Sequence, residues 1–241
     1  MMLHALPYGY RYVIIDHFDP RQVLELIQRE HVNVLSGAPT VFQLLLTVSD
    51  LERYDLSSLL LADMGAAPCP PALARELRRR LGSAVAISFG ATETSGAATL
   101  TDIADAEPNQ SETVGRVYPR TELKIVDDQR REVPRGAVGE VAVRSPGIMK
   151  GYYKAPELTA QVLDAEGWYY TGDLAVLDED GYLRIVGRKR DLIIRGGQNI
   201  FPQEIEHYLV AHPKIREAAV VGVPSPVGGE SVVAFVIPEA G

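Results

Sequence analysis

Between residues 12 and 89 the chain alternates between short apolar runs and amphipathic segments, and this alternation constrains the fold most. The apolar runs predict strands at 12–16, 32–35, 59–62 and 84–89. Proline-marked segments between them predict helices at 20–30, after Pro39 and at 72–81. Strands that alternate with helices favour an α/β fold with a mostly parallel sheet covered by helices.

Beyond residue 104 the helical periodicity is lost, and strand-like runs separated by turn residues take over. They predict an antiparallel, β-barrel-like subdomain with a short surface helix at 156–163. Its strands are expected at 122–126, 138–143, 169–176 and 182–186. After residue 191, a helix opened by Pro202 and strands at 192–194, 217–223 and 231–237 indicate part of a small α+β domain. The predicted division is therefore 1–105, 106–190 and 191–241.

Composition narrows the classes of protein and of partner. The formal net charge of −8 disfavours nucleic acid as the main ligand. Cys69 is the single cysteine, so no disulfide can form within the chain, which suits a reducing compartment. No apolar run approaches ~20 residues, and the start lacks a signal-peptide pattern, so no transmembrane segment is expected. We expect a cytoplasmic location, with peripheral membrane contact left open.

The tripeptide Thr171-Gly172-Asp173 follows an aromatic run and is expected to form a tight polar turn. A carboxylate in that place can accept two hydrogen bonds, and the neighbouring hydroxyls of a ribose are a natural pair of donors. A turn aspartate bonded to its own backbone explains the same residues, so the chemistry of the tripeptide leaves both readings open.

A second motif, 87–93, ends the fourth predicted strand, and open α/β sheets bind ligands at the carboxyl ends of their strands. Small residues at 65–67 follow the third strand and would let a flat ring or an acyl chain approach the backbone, although a plain loop would suit them equally. The pair Gly196-Gly197 also has two explanations: space for a ligand, or a turn or bulge.

Taken together, these residues resemble the adenylate-forming (AMP-binding) enzyme superfamily, most of all the acyl-CoA synthetases. The resemblance rests on 89–93, on Thr171-Gly172-Asp173, and on Gly187, Arg188 and Asp191, and it covers most of the chain. Gly139-Glu140 and Gly151-Tyr152-Tyr153 match further landmarks of the family.

The resemblance implies a role for each of these positions. Asp173 would bind the ribose hydroxyls, Phe89 would offer a ring face to adenine, and Thr92 would reach the α-phosphate. Glu93 would be the Mg²⁺ ligand. The implied catalytic residues are Thr92, Glu93 and Arg188. The implied cofactor-binding residues are Gly65, Ala66, Ala67, Ser88, Phe89, Gly90, Ala91, Thr92, Asp173, Ile185, Arg188, Gly196 and Gly197.

The implied reaction is an ATP-dependent acid–thiol ligation. A carboxylic acid would attack the α-phosphate of ATP, giving an acyl-adenylate, and the thiol of coenzyme A would then give a thioester. ATP or AMP, Mg²⁺ and coenzyme A are the implied cofactors. Residues 191–241 would be a partial C-terminal lid domain, in which Gly196 and Gly197 leave room for the pantetheine arm.

The chain departs from the family pattern at several places. Tyrosine is usual at the position of Phe89, and Asp or Lys at that of Arg190. No Gly-Lys pair of a phosphate loop occurs, and no lysine follows Lys214, where the family's catalytic lysine is expected. We therefore expect the middle and rear of a ligase, inactive or very weak alone, with a missing N-terminal fragment as a partner and a homodimer as a further expectation.

Two other functions stay open at this point. The acceptor could be the thiol of a carrier protein, although the sequence that usually follows the glycine in peptide synthetases is absent here. Alternatively, the chain could be a non-catalytic AMP-binding or interaction module.

Overall fold

The computed structural model describes residues 7–225 and 228–239, which belong to two compact units. The first unit runs through residue 89 and includes 101–112, whereas the second contains 90–100 and the chain from 113 onward. The predicted division at 105 and 190 stays a prediction.

The described part of the first unit includes the four α-helices named below, and proline opens three of them, where its missing N–H costs nothing. Asp19 caps the first by accepting a hydrogen bond from the N–H of Gln22 at 2.9 Å. Val23, Leu24 and Ile27 form its buried stripe. The helices are α1 (Pro20–Glu30), α2 (Pro39–Leu46), α3 (Pro71–Leu81) and the short α4 (Asn109–Glu112).

The sheet of the first unit is parallel, as predicted. Strand β1 (Val34–Gly37) pairs with β2 (Leu61–Met64), which pairs with β3 (Ala84–Ala91). The last two residues of β3 belong to the second unit. The expected strand at 12–16 is wrong: those described residues have no strand, and the side chain of Ile14 is 72% exposed. Strand propensity without burial does not stabilise a strand.

The second unit contains two groups of antiparallel strands before residue 190. Strands β4 (Gly96–Leu100) and β5 (Arg116–Val117) pair with each other. A four-stranded sheet follows, in the order β6-β7-β8-β9. Its strands are β6 (Glu122–Val126), β7 (Val138–Arg144), β8 (Tyr169–Leu177) and β9 (Leu183–Arg188), with α5 (Pro156–Val162) between β7 and β8.

This sheet is open, so the barrel-like part of the prediction needs correction. Strand order follows chain order, and within the described residues β6 and β9 stay at opposite edges instead of pairing. Val126, Ala142, Trp168 and Tyr170 form a buried cluster in this part of the unit. The antiparallel character is as predicted, and only closure is missing.

The remaining elements of the second unit confirm an α+β arrangement after residue 191. Four strands form a sheet in the order β11-β10-β13-β12, and one helix lies between β11 and β12 along the chain. The elements are β10 (Ile193–Arg195), β11 (Gln198–Ile200), α6 (Pro202–Val210), β12 (Ile215–Ser225) and β13 (Gly229–Pro238). In the described part of the chain, no helix is long and apolar enough to cross a bilayer.

Candidate active site

Thr171, Gly172 and Asp173 lie inside β8, and not in the turn that the sequence predicts. They form a bulge: the pairing of β7 with β8 shifts register here, and Gly172 has a φ of 74°. The Thr171 hydroxyl donates to the carbonyl of Val141 at 3.0 Å and accepts the N–H of Asp173 at 3.1 Å. The bulge therefore has a defined shape that sets the direction of the Asp173 side chain.

Glu140 of β7 binds the centre of this bulge. Its Oε1 accepts the N–H of Gly172 at 3.0 Å, and its Oε2 accepts from Nζ of Lys189 at 3.2 Å. The same ammonium lies 2.8 Å from Oδ1 of Asp128. Glu140 and Lys189 were not among the site residues expected from the sequence, although Glu140 lies in the Gly139-Glu140 landmark.

Asp173 forms an ion pair with Arg188, which lies opposite it on β9. Nε of Arg188 donates to Oδ1 of Asp173 at 2.8 Å. Asp173 is only 8% exposed, and this burial raises the pKa of its carboxyl above 3.8, with Arg188 opposing the shift. The structure thus brings two of the expected site residues together, in an arrangement that orients the carboxylate.

Glu93 lies in a short 3₁₀ helix, Thr92–Thr94, directly after β3. Its Oε1 accepts the Tyr152 hydroxyl at 2.7 Å, and its carbonyl accepts the N–H of Met149 at 2.8 Å. The hydrogen bond to Glu93 raises the pKa of Tyr152. Burial raises the pKa of Tyr169, whose hydroxyl forms a hydrogen bond with the hydroxyl of Tyr152. The two tyrosines are contacts of the site that the sequence analysis did not include.

The surroundings of Glu93 are compatible with Mg²⁺ held mainly by a nucleotide. Within the described residues, no group of three or more His, Cys, Asp or Glu side chains could hold a metal ion by itself. Mg²⁺ keeps several waters and commonly takes one or two carboxylates together with substrate phosphates. A single half-buried carboxylate, oriented by Tyr152, fits that pattern.

In the first unit, the expected residues Gly65 and Ser88 pack against each other. A Cβ added to Gly65 would lie 2.5 Å from Oγ and 3.2 Å from the carbonyl oxygen of Ser88, so the close packing favours glycine here whatever binds nearby. The Ser88 hydroxyl donates to the carbonyl of Met64 at 3.2 Å. Ala66 is exposed with a φ of 67°, Ala67 is also exposed, and Phe89 is half-exposed.

The other expected residues belong to the second unit. Gly90 faces the carbonyl of Gly96, with which any Cβ would collide. Ala91 is half-exposed, Thr92 is exposed, and Ile185 is half-buried opposite Ala175. That the residues of 65–67 and 88–89 join Thr92, Glu93 and Asp173 around one nucleotide stays a prediction.

Gly196 and Gly197 form the two-residue turn between β10 and β11. Arg195 pairs with Gln198 across it, and the two glycines have φ values of 58° and 79°. A two-residue hairpin of type I′ needs positive φ at both positions. The turn thus explains the glycine pair without a ligand, and its expected contact with coenzyme A stays a prediction.

Comparison with known proteins gives the same family as the motifs. A family model described as AMP-binding enzyme matches residues 1–153, and one described as AMP-binding enzyme C-terminal domain matches 204–241. The medium-chain fatty-acid–CoA ligase of Escherichia coli is 40% identical over 96% of this chain, which spans 41% of that protein.

Two solved structures have the same fold over nearly the whole chain. The amide bond synthetase McbA of Marinactinospora thermotolerans matches with a TM-score of 0.87 and 41% identity, over 94% of this chain and 46% of its own. The o-succinylbenzoate CoA synthetase of Bacillus subtilis, in complex with its acyl-adenylate intermediate, matches with a TM-score of 0.88 and 29% identity, over 100% of this chain and 48% of its own. This chain thus spans less than half the length of these relatives. It belongs to the AMP-binding enzyme family.

Proposed function

We propose that this chain binds the adenosine monophosphate part of an acyl-adenylate and serves ATP-dependent ligation of a carboxylic acid to coenzyme A. The proposal rests on one observation above all: the buried Asp173 carboxylate, held by Arg188 at 2.8 Å in a bulge of β8. Membership of the AMP-binding enzyme family supports it.

Each residue has a definite task in this proposal. Asp173 accepts hydrogen bonds from the ribose hydroxyls, and the Arg188 guanidinium keeps the carboxylate in its orientation. Thr92 and Glu93 lie next to each other after β3, with Thr92 facing the α-phosphate and Glu93 oriented by Tyr152. When Mg²⁺ is bound, it neutralises charge on the phosphates. The protein contributes positioning and electrostatic stabilisation.

Ribose recognition by Asp173 can be tested with two ligands that differ only in their hydroxyls. Calorimetry would compare AMP with 2′,3′-dideoxy-AMP on the unchanged chain and on Asp173→Asn. We expect the unchanged chain to prefer AMP and the variant to lose about tenfold in AMP affinity, because a charge-assisted hydrogen bond is lost. Affinity for the dideoxy ligand should not change.

A matched control is available in Asp180→Asn, which changes an exposed acid in the turn between β8 and β9. This control should keep the full preference for AMP. Equal affinity of the unchanged chain for the two ligands, or an unchanged preference in Asp173→Asn, would overturn the proposed role of Asp173.

The acceptor is a separate part of the proposal. The name of the Escherichia coli ligase, which is 40% identical to this chain, supports coenzyme A as the acceptor. McbA has a similar identity, 41%, but is named an amide bond synthetase. We would mix the chain with the expected N-terminal fragment, supply a medium-chain acyl-adenylate, and measure thioester formation with coenzyme A and with a carrier-protein thiol. Thioester with coenzyme A is the expected result. Product only with the carrier protein favours the second acceptor, and AMP binding without product favours a non-catalytic module. The cytoplasmic location, the homodimer and the N-terminal fragment as a partner stay predictions.

A further inference from the structure

We infer that Glu140 is a positioning residue for nucleotide binding: its carboxylate holds the bulge of β8 that aims Asp173, and ties this bulge to Lys189 at the end of β9. This inference rests on the proposed role of Asp173 and adds a residue that the expected site did not contain.

The first step of the argument is the contact itself. Glu140 Oε1 accepts the N–H of Gly172 at 3.0 Å, and Gly172 lies between Thr171 and Asp173. Because the bulge interrupts the pairing of β7 with β8, this N–H points away from the regular ladder and finds its acceptor in a side chain. Removal of the carboxylate would leave the N–H without that acceptor and would let the bulge change its shape.

The second step is that Glu140 itself is held firmly. Its side chain is only 13% exposed, and Oε2 lies 3.2 Å from Nζ of Lys189. A Cβ added to its neighbour Gly139 would lie 2.5 Å from the carbonyl of Val126, so β7 approaches β6 closely at this point. The close approach of β7 to β6 restrains the backbone next to Glu140, and the Gly172 N–H and the Lys189 ammonium hold its carboxylate.

The third step concerns the position of Lys189. This residue begins the 3₁₀ turn Lys189–Asp191 and directly follows Arg188, the ion-pair partner of Asp173. Its ammonium contacts Asp128 as well as Glu140, and its pKa is raised by these contacts, with Asp128 the larger cause. Glu140 of β7 thus joins the bulge of β8 to Lys189 at the end of β9 through one carboxylate, next to the ion pair of Asp173 with Arg188.

The experiment measures the preference for AMP over 2′,3′-dideoxy-AMP in Glu140→Ala, Glu140→Gln and Asp173→Asn. We expect Glu140→Ala to lose about tenfold in AMP affinity with little change for the dideoxy ligand, since a misplaced Asp173 affects only the ribose hydroxyls. Glu140→Gln should lose less, because its amide oxygen can still accept the N–H of Gly172. Amide hydrogen exchange at Gly172 should be faster in Glu140→Ala.

Glu122→Gln serves as the control, because Glu122 is a carboxylate of the same sheet that pairs with Arg144 and not with the bulge. It should keep the AMP preference of the unchanged chain. If Asp173→Asn loses the preference while Glu140→Ala and Glu140→Gln keep it, the inference about Glu140 is wrong and the proposed function stands. If Asp173→Asn keeps it, the proposed function is wrong and the inference fails with it. Should Glu140→Ala not fold, a loss of preference in Glu140→Gln is required instead.

Discussion

The Tyr152 hydroxyl contacts Glu93 and also the hydroxyl of Tyr169, so Tyr152→Phe removes both hydrogen bonds and leaves the ring in place. We expect the free energy of unfolding to fall by about 1–2 kcal/mol, because Glu93 is half-buried and its oxygen loses a donor. Urea unfolding measures this change.

The adjacent Tyr153 is the natural control for that substitution, since it is 87% exposed. Tyr153→Phe should stay within about 0.5 kcal/mol of the unchanged protein. Equal effects of the two substitutions would mean that the contact between Tyr152 and Glu93 contributes nothing measurable, and would remove the argument that Tyr152 orients Glu93.

At the same scale, the sequence predicted which residues of the 171–173 motif to examine but not their conformation. Aspartate and glycine are typical of turns, so a turn was expected. The bulge depends on contacts with Val141 and Glu140, which lie about thirty residues away in sequence. No local pattern contains that information, and for the same reason Glu140 could not be identified as a partner of the bulge, nor Lys189 as a partner of Glu140.

At the scale of elements, the hairpin of β10 and β11 separates two explanations of Gly196-Gly197. If the turn alone requires positive φ, Gly197→Asn should be tolerated within about 0.5 kcal/mol, because asparagine adopts that conformation with little cost. Gly197→Val should lower the free energy of unfolding by at least about 1 kcal/mol. Urea unfolding of the two variants measures the difference.

The two variants also address the expected contact with coenzyme A. Gly197→Asn keeps the turn but adds a side chain where a Cβ now meets no atom within 4 Å. In the thioester assay with the N-terminal fragment, a stable Gly197→Asn variant that forms as much product as the unchanged chain would assign the glycine to the turn. Equal stability of the Val and Asn variants would contradict the conformational argument.

Most elements were predicted because their signals are local. Proline at the start of α1, α2 and α3, and the alternation along β6 to β9, appear directly in the sequence. Strand β4 was missed because its Gly-Ala-Ala-Thr-Leu sequence is weak in strand formers, and its place in the structure depends on pairing with β5. The expected strand at 12–16 failed for the opposite reason: its side chains favour a strand, but Ile14 stays exposed.

At the scale of the whole molecule, acids in ion pairs and buried acids change the free energy of unfolding in opposite directions as the pH falls. The hydrogen bond from Arg144 lowers the pKa of Glu122 below 4.5, and that from Arg131 lowers the pKa of Asp127 below 3.8. These two carboxyls therefore take up protons at a higher pH in the unfolded chain than in the folded chain. The stability that they contribute is lost as the pH falls through their lowered pKa values. Asp173 behaves in the opposite way, because burial raises its pKa above 3.8.

The single tryptophan makes these opposing effects measurable in the second unit. Trp168 is buried there, so its fluorescence reports unfolding of that unit. As the pH is lowered from about 6 to about 3, we expect the free energy of unfolding in urea to decrease. Glu122→Gln should make the decrease shallower, because it removes an acid whose ion pair is lost on protonation. Asp173→Asn should make the decrease steeper, because the raised pKa of Asp173 stabilises the folded state as the pH falls.

Asp180→Asn serves as the control, because it changes an acid in an exposed turn, and it should leave the pH dependence of the free energy of unfolding unchanged. A shallower decrease in Asp173→Asn would contradict the argument that burial raises the pKa of Asp173.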